Sequence, residues 1–180
     1  MIEIKQIHHV AYRCHDAKET VEWYKDKLNM DFLVAIAEDK VPSTKEPDPY
    51  MHLFLDAGQG NILAFFEITN QPTMSRDPNT PAWVQHIAFE VADEQALMDA
   101  KAELEGKGVD VLGPTDHGII KSIYFFDPNG HRLELTCRLG TAEQMQQLKE
   151  VAPVMLEEWS KTKTVPKHAA WLHEKEFSNT

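Results

Sequence analysis

Alternating apolar and polar positions mark the first strand-like segment of the chain, and the same pattern returns later. Residues 7–14 read IHHVAYRC and residues 84–91 read VQHIAFEV, so both follow apolar-x-His-apolar-Ala-aromatic. This period of two predicts β-strands whose side chains alternate between faces. A helix-like segment follows each strand, and Asp16 and Asp93 are the predicted helix N-caps. The chain therefore contains an internal repeat that begins with a strand and a helix.

Three further strand-like stretches follow each predicted helix. They are DFLVAIAE, YMHLFLD and ILAFFEIT in the first half, and VDVLGP, KSIYFFD and HRLELT in the second. The repeat predicts an α+β fold of two βαβββ units, over about residues 7–69 and 84–136, joined by a linker rich in Pro, Asn and Thr. Units of this size bury little core alone, so we expect them to pair.

Two regions fall outside the repeated strands. The stretch EDKVPSTKEPDP at 38–49 predicts a surface loop of the kind that often lies near a site. The tail 141–180 predicts a helical extension of a domain spanning 1–140, with Thr141 and Gln144 forming a capping box. Pro153 should kink or restart this helix. Its apolar stripe predicts packing on the body of the protein or on a second subunit.

Composition limits the partners. Hydrophobic residues make up 42% and charged residues 26% of the chain, which is typical of a globular domain. The net charge of −11 disfavours nucleic acid and anionic membrane partners. Two cysteines are too few for a disulfide framework, and no apolar run approaches the roughly 20 residues of a membrane span. These features, with no signal-peptide pattern at the N-terminus, predict a cytoplasmic protein.

Polar residues recur at matching positions of the predicted strands. In the first strand Val10 and Tyr12 should face the helix and His9 should face away. The same alternation assigns one shared face to four residues, namely His9, Glu67, His86 and Glu134. Two imidazoles with one or two carboxylates suit a divalent metal such as Fe, Mn, Zn or Ni. The pattern thus predicts a metal site on the face opposite the helices.

The segments HHVAYRCHDAKETVEWYKDKLNM, HIAFEV and DPNGHRLELT resemble the vicinal oxygen chelate superfamily, which includes glyoxalases, extradiol dioxygenases and bleomycin-resistance proteins. The resemblance covers about residues 7–137 and leaves the tail outside. It implies paired βαβββ modules that form a curved, barrel-like mixed sheet around one metal. It also implies that His9, His86 and Glu134 are the metal ligands, since the alternation places His8 on the packing face.

The stretch from Thr115 to Glu134 resembles more closely the pattern of extradiol ring-cleavage dioxygenases. It reads Thr-x-His, five residues, Ile-Tyr, two residues, Asp-Pro-x-Gly, three residues and Glu. The resemblance implies that His117 and Tyr124 hydrogen-bond the substrate, and that a catechol-like aromatic reacts with O2. It implies Fe(II), with Mn(II), Zn(II) or Ni(II) as alternatives, and a homodimer.

Two other functions stay open. Glu67 stands where glyoxalase I and its relatives place a fourth metal ligand. This resemblance would favour an isomerase or lyase that acts on a carbonyl substrate. Such an enzyme reacts through an enediolate and uses a glutamate as the base. A non-enzymatic protein that sequesters a ligand without a metal is the third hypothesis, although such a protein would not need His9, His86 and Glu134.

Overall fold

The computed structural model describes residues 2–173, and its architecture confirms the predicted α+β class. The strands are β1 Val10–Arg13, β2 Phe32–Lys40, β3 Pro47–Asp56, β4 Ile62–Ile68, β5 His86–Glu90, β6 Leu112–Asp116, β7 Ile120–Phe126 and β8 Arg132–Arg138. The helices are α1 Ala17–Leu28, α2 Glu94–Gly106 and α3 Ala142–Thr162, followed by the 3-10 helix Ala170–His173. Among these residues the strands form two four-stranded sheets, ordered β1-β4-β3-β2 and β5-β8-β7-β6, and neither closes into a barrel.

Local capping explains where the helices begin. The side chains of Asp16 and Asp93 accept hydrogen bonds from backbone N–H groups in the first turns of α1 and α2. Thr141 and Gln144 form the reciprocal capping box of α3. All three predicted helix starts are therefore confirmed, since short polar side chains satisfy N–H groups that have no partner within the helix.

The chain divides into two units. The first consists of the described residues up to Ile87 together with Phe126–Leu133. The second consists of Ala88–Phe125 together with the described residues from Glu134 onward. In the first unit β1 pairs in parallel with β4, and β3 pairs antiparallel with β4 and with β2. The core of this unit is formed by side chains that are at most 3% exposed, namely Tyr24, Leu53, Leu55, Leu63 and Phe65.

A buried polar network supports this first core. The Tyr24 hydroxyl donates to Asp127 across 3.0 Å, and Asp127 also accepts from the backbone N–H groups of Asn129 and His131. Burial, reinforced by the Asp127 carboxylate, raises the pKa of Tyr24 well above its usual value. The DPNG turn is therefore a structural anchor for α1 as well as a connection between strands.

In the second unit, Ile123 and Phe125 of β7 are fully buried, as is Leu97 of α2, and Leu104 of α2 is almost so. In β8, Leu135 of this unit and Leu133, which belongs to the first unit, are buried as well. Glu134 and Thr136, which alternate with these leucines along β8, both lie near Ser122 of β7. This agrees with the predicted alternation along β8.

Two predictions outside the repeated strands are wrong. Residues 38–49 are not one long loop, because β2 continues to Lys40 and β3 begins at Pro47. The prolines of this stretch lie before Tyr50, where pairing with β4 begins, so they remove no hydrogen bond to β4. Pro153 lies inside α3, which continues past it, so the predicted restart is wrong, whereas the predicted kink stays a prediction.

Helix α3 has no fully buried residue, and Met145 and Trp159 of its apolar stripe are almost half exposed. The last residues of the predicted helical tail, 174–180, lie outside the described part of the chain. Within residues 2–173, none of the helices has the length and apolar character that crossing a membrane requires.

Candidate active site

His117 and Tyr124, the two residues that the ring-cleavage resemblance assigns to the substrate, lie together in the second unit. His117 directly follows β6, and its Nε2 lies 2.7 Å from the hydroxyl of Tyr124 on β7. Both residues are half-buried. A histidine and a phenol at this distance share a hydrogen bond along which a proton can move between Nε2 and Oη.

Glu134 lies in the same unit and is nearly buried, with 3% of its surface exposed. The hydroxyl of the fully buried Ser122 donates to its Oε1 across 2.5 Å, and the Ser122 oxygen lies 3.0 Å from the hydroxyl of Thr136. A buried carboxylate requires such donors or a cation, because burial removes the hydration of its charge. No role for Ser122 was predicted from the sequence, and the pairing of β7 with β8 brings its hydroxyl to Glu134.

In the first unit His9 directly precedes β1, and its place on one face with the other proposed ligands stays a prediction. Its ring lies 6.3 Å from that of His52 and 6.1 Å from that of Phe54, measured between centroids. His52 stacks on Phe66 at 3.6 Å, and burial, followed by the nearby His9, lowers its pKa. In the register of β3 with β4, His52 lies opposite Phe66, the residue on which its ring stacks.

His86 also belongs to the first unit. Its Nδ1 lies 3.1 Å from the backbone carbonyl of Val84, so Nδ1 carries a proton and Nε2 is the basic nitrogen of the neutral ring. His86 borders a cavity of about 340 Å³ that also exposes Tyr12, Arg76 and His131. This volume lies at the lower end of the range for small-molecule pockets.

Glu67 does not face the same side as His9, and this part of the prediction is wrong. Its neighbours in the alternation, Leu63 and Phe65, are buried in the core beside α1. Its Oε2 accepts a hydrogen bond of 2.6 Å from the backbone N–H of Ala17, at the start of α1. A carboxylate in this position stabilises the positive end of the helix dipole, so Glu67 has a structural task.

The three remaining predicted ligands fit a divalent metal by their chemistry. His86 has the tautomer that a backbone carbonyl imposes on many metal-binding histidines, and Glu134 has the hydrogen-bonded carboxylate typical of metal ligands. Within residues 2–173, however, no three His, Cys, Asp or Glu side chains form a group that could hold a metal ion. His9 and His86 belong to the first unit and Glu134 to the second, and the assembly of a site from them stays a prediction.

Comparison with known proteins adds four findings. Residues 6–135 match the Glyoxalase/Bleomycin resistance protein/Dioxygenase superfamily. Metallothiol transferase FosB of Staphylococcus haemolyticus is 32% identical over 155 residues, which are 84% of this chain and 96% of the transferase. Biphenyl-2,3-diol 1,2-dioxygenase 3 of Rhodococcus globerulus is 38% identical over only 58 residues, 31% of this chain and 30% of that enzyme. The fosfomycin resistance protein FosX of Listeria monocytogenes shares the fold, with a TM-score of 0.54 at 20% identity over 78% of this chain and 98% of FosX.

Proposed function

Because the chain belongs to the Glyoxalase/Bleomycin resistance protein/Dioxygenase superfamily, we propose that it is a metal-dependent enzyme that cleaves a catechol-like ring with O2. The observation that carries this proposal is the 2.7 Å pair of His117 and Tyr124, which lies inside the ring-cleavage pattern of residues 115–134. In the reaction, one ring C–C bond beside a hydroxyl breaks and both atoms of O2 enter the product. O2 supplies the oxidising equivalents, so no further oxidant is required.

His9, His86 and Glu134 are the residues proposed to hold the metal. A two-histidine, one-carboxylate set leaves coordination positions open and is typical of non-haem Fe(II) oxygenases. Such an ion would lower the pKa of the catechol hydroxyls and bring catecholate and O2 together. In this proposal Ser122 holds the Glu134 carboxylate in one orientation.

His117 and Tyr124 are proposed to bind the substrate oxygens and to hold a proton. If Nε2 of His117 donates to the Tyr124 oxygen, the phenol can donate its own proton to an oxyanion. If the phenol donates to Nε2, the pair stores that proton until charge develops on the substrate. Either arrangement provides the hydrogen-bond donors that stabilise negative charge during ring opening.

Metal binding is tested with single variants of the proposed ligands. We expect His9→Ala, His86→Ala and Glu134→Gln each to lose bound iron after anaerobic loading and desalting. His15→Ala is the matched control, because His15 is an exposed histidine of the same unit and is not a proposed ligand, whereas the ring of His8 lies 2.9 Å from that of His9. Equal iron content in the His15 and His9 variants would contradict the ligand assignment.

Ring cleavage is tested on the iron-loaded protein with a panel of catechols that includes biphenyl-2,3-diol. We expect a yellow product formed with one O2 consumed per ring, and about a 100-fold lower kcat for Tyr124→Phe and for His117→Gln. Both variants should keep the iron content of the wild type. An iron-loaded wild type that cleaves no catechol in the panel would remove this proposal.

A metal-dependent thiol transferase is the second candidate. The observation that favours it is the FosB similarity, which extends over 96% of the transferase, whereas the dioxygenase similarity covers 30% of that enzyme. Loss of free cysteine in the presence of fosfomycin, measured with a thiol reagent, would support this candidate. The isomerase alternative depended on Glu67 beside the metal, and the bond from Ala17 to Glu67 gives it no support.

A further inference from the structure

We infer that the C-terminal turn around Leu172 positions His117 by packing against the backbone of Gly118. The catalytic part of this inference rests on the proposed function. Gly118 directly follows His117, and a Cβ built on it would lie 2.8 Å from the carbonyl oxygen of Leu172 and 3.3 Å from its Cδ2. All three residues belong to the second unit. Contact this close requires a residue without a side chain at position 118.

Hydrogen bonds hold the His117 turn on its other sides. The backbone N–H of His117 donates to the carbonyl of Ile120 across 2.8 Å, and the N–H of Gly118 donates to Asp116 Oδ1 across 2.7 Å. The carbonyl of Ile119 accepts from the N–H groups of residues 139 and 140, both at 2.8 Å. Leu172 contacts the turn on the side that these hydrogen bonds leave open. A shift of Leu172 should therefore move the turn and change the distance between His117 and Tyr124.

The segment that carries Leu172 is itself anchored. The N–H of Leu172 donates to the carbonyl of Ala169 across 3.1 Å, and the Ala169 side chain is 8% exposed. This segment lies beyond residue 135, where the superfamily match ends. The extension is thus a part of this chain that can adjust the proposed site independently of the shared fold.

The glycines of the second unit offer a matched pair of variants. Gly118 has φ +83° and Gly108 has φ +78°, so an alanine introduces similar backbone strain at either position. Nothing lies within 4 Å of a Cβ at Gly108, whereas a Cβ at Gly118 would collide with Leu172. The difference between Gly118→Ala and Gly108→Ala therefore isolates the contact with the C-terminal turn.

The test measures ring resonances and kinetics on the full-length protein. NMR spectra of the metal-free protein, with labelled His and Tyr rings, should show shifted His117 and Tyr124 signals in Gly118→Ala and Leu172→Ala. The same signals should stay in place in Gly108→Ala and in the volume-conserving Leu172→Met. On iron-loaded protein with a catechol, Leu172→Ala should lower kcat about 10-fold and leave KM within about twofold, as expected for a misplaced catalytic group.

The two readouts separate this inference from the proposed function. Unchanged His117 and Tyr124 resonances in both Gly118→Ala and Leu172→Ala would overturn the inference, even if the melting temperature falls. Shifted resonances in a protein that cleaves no catechol would support the positioning role of Leu172 and count against the dioxygenase alone. Equal resonance shifts in Gly108→Ala and Gly118→Ala would show that backbone strain, and not Leu172, moves His117, and would also overturn the inference.

Discussion

Replacing Ser122 with alanine should destabilise the second unit. The Ser122 hydroxyl is fully buried and donates across 2.5 Å to the carboxylate of Glu134, which is itself 3% exposed. A hydrogen bond to a charged group contributes about 1.5–3 kcal/mol, and burial hinders water from replacing the lost donor. The contact with Thr136 adds little, because the Thr136 hydroxyl can still donate to the carbonyl of Lys121 at 3.2 Å.

We therefore expect Ser122→Ala to lower the free energy of unfolding by about 1.5–3 kcal/mol, which is about 3–12 °C in melting temperature for a protein of this size. The assay is urea unfolding of metal-free, full-length protein at neutral pH, followed by tryptophan fluorescence. The slope with denaturant must match that of the wild type for the free energies to be compared. Ser75→Ala, at an exposed serine, is the control and should change the free energy by less than about 0.5 kcal/mol.

A double-mutant cycle with Glu134→Gln tests whether the loss comes from this pair, since residues in contact show coupling energies of about 0.5–3 kcal/mol. The reasoning is refuted if Ser122→Ala costs under about 0.5 kcal/mol, or if the two substitutions are additive. If Glu134 binds a metal, Ser122→Ala should also weaken metal binding about 10–100-fold.

Three further predictions concern other parts of the molecule. Tyr24→Phe removes the donor to Asp127 and should lower the free energy of unfolding by about 1.5–3 kcal/mol at pH 8. Because the pKa of Tyr24 is raised in the folded state, this advantage of the wild type should shrink as the pH rises above about 10, where the unfolded tyrosine ionises. Urea titrations of both proteins at pH 8 and above pH ~10 measure the difference. A difference in the free energy of unfolding between wild type and Tyr24→Phe that stays constant over this pH range would contradict the raised pKa of Tyr24. Glu67→Gln should lower the free energy of unfolding by about 0.5–1 kcal/mol through a weaker interaction with the α1 N-terminus, whereas exposed Glu22→Gln should not. Light scattering should give the mass of two 20.6 kDa chains, and a mass of one chain would contradict the predicted homodimer.

Much of the fold follows from local sequence. A capping side chain contacts N–H groups only two or three residues away, so Asp16, Asp93 and Thr141 could be recognised without a tertiary structure. In β8 the alternation of Leu133, Glu134 and Leu135 separates Glu134 from the two leucines, because successive side chains of a strand point to opposite faces.

The tertiary structure decided the orientation of Glu67 and the surroundings of the proposed catalytic residues. In β4 the run from Leu63 to Phe66 is apolar on both faces, so alternation contains no information about which face packs on α1. Strand register brought Ser122 to Glu134 and His52 to His9, and chain folding brought Leu172 to Gly118. Those contacts join residues up to 54 positions apart in sequence. Local periodicity specifies the direction of a side chain along its own strand, whereas the identity of its neighbour depends on pairing and packing between distant segments.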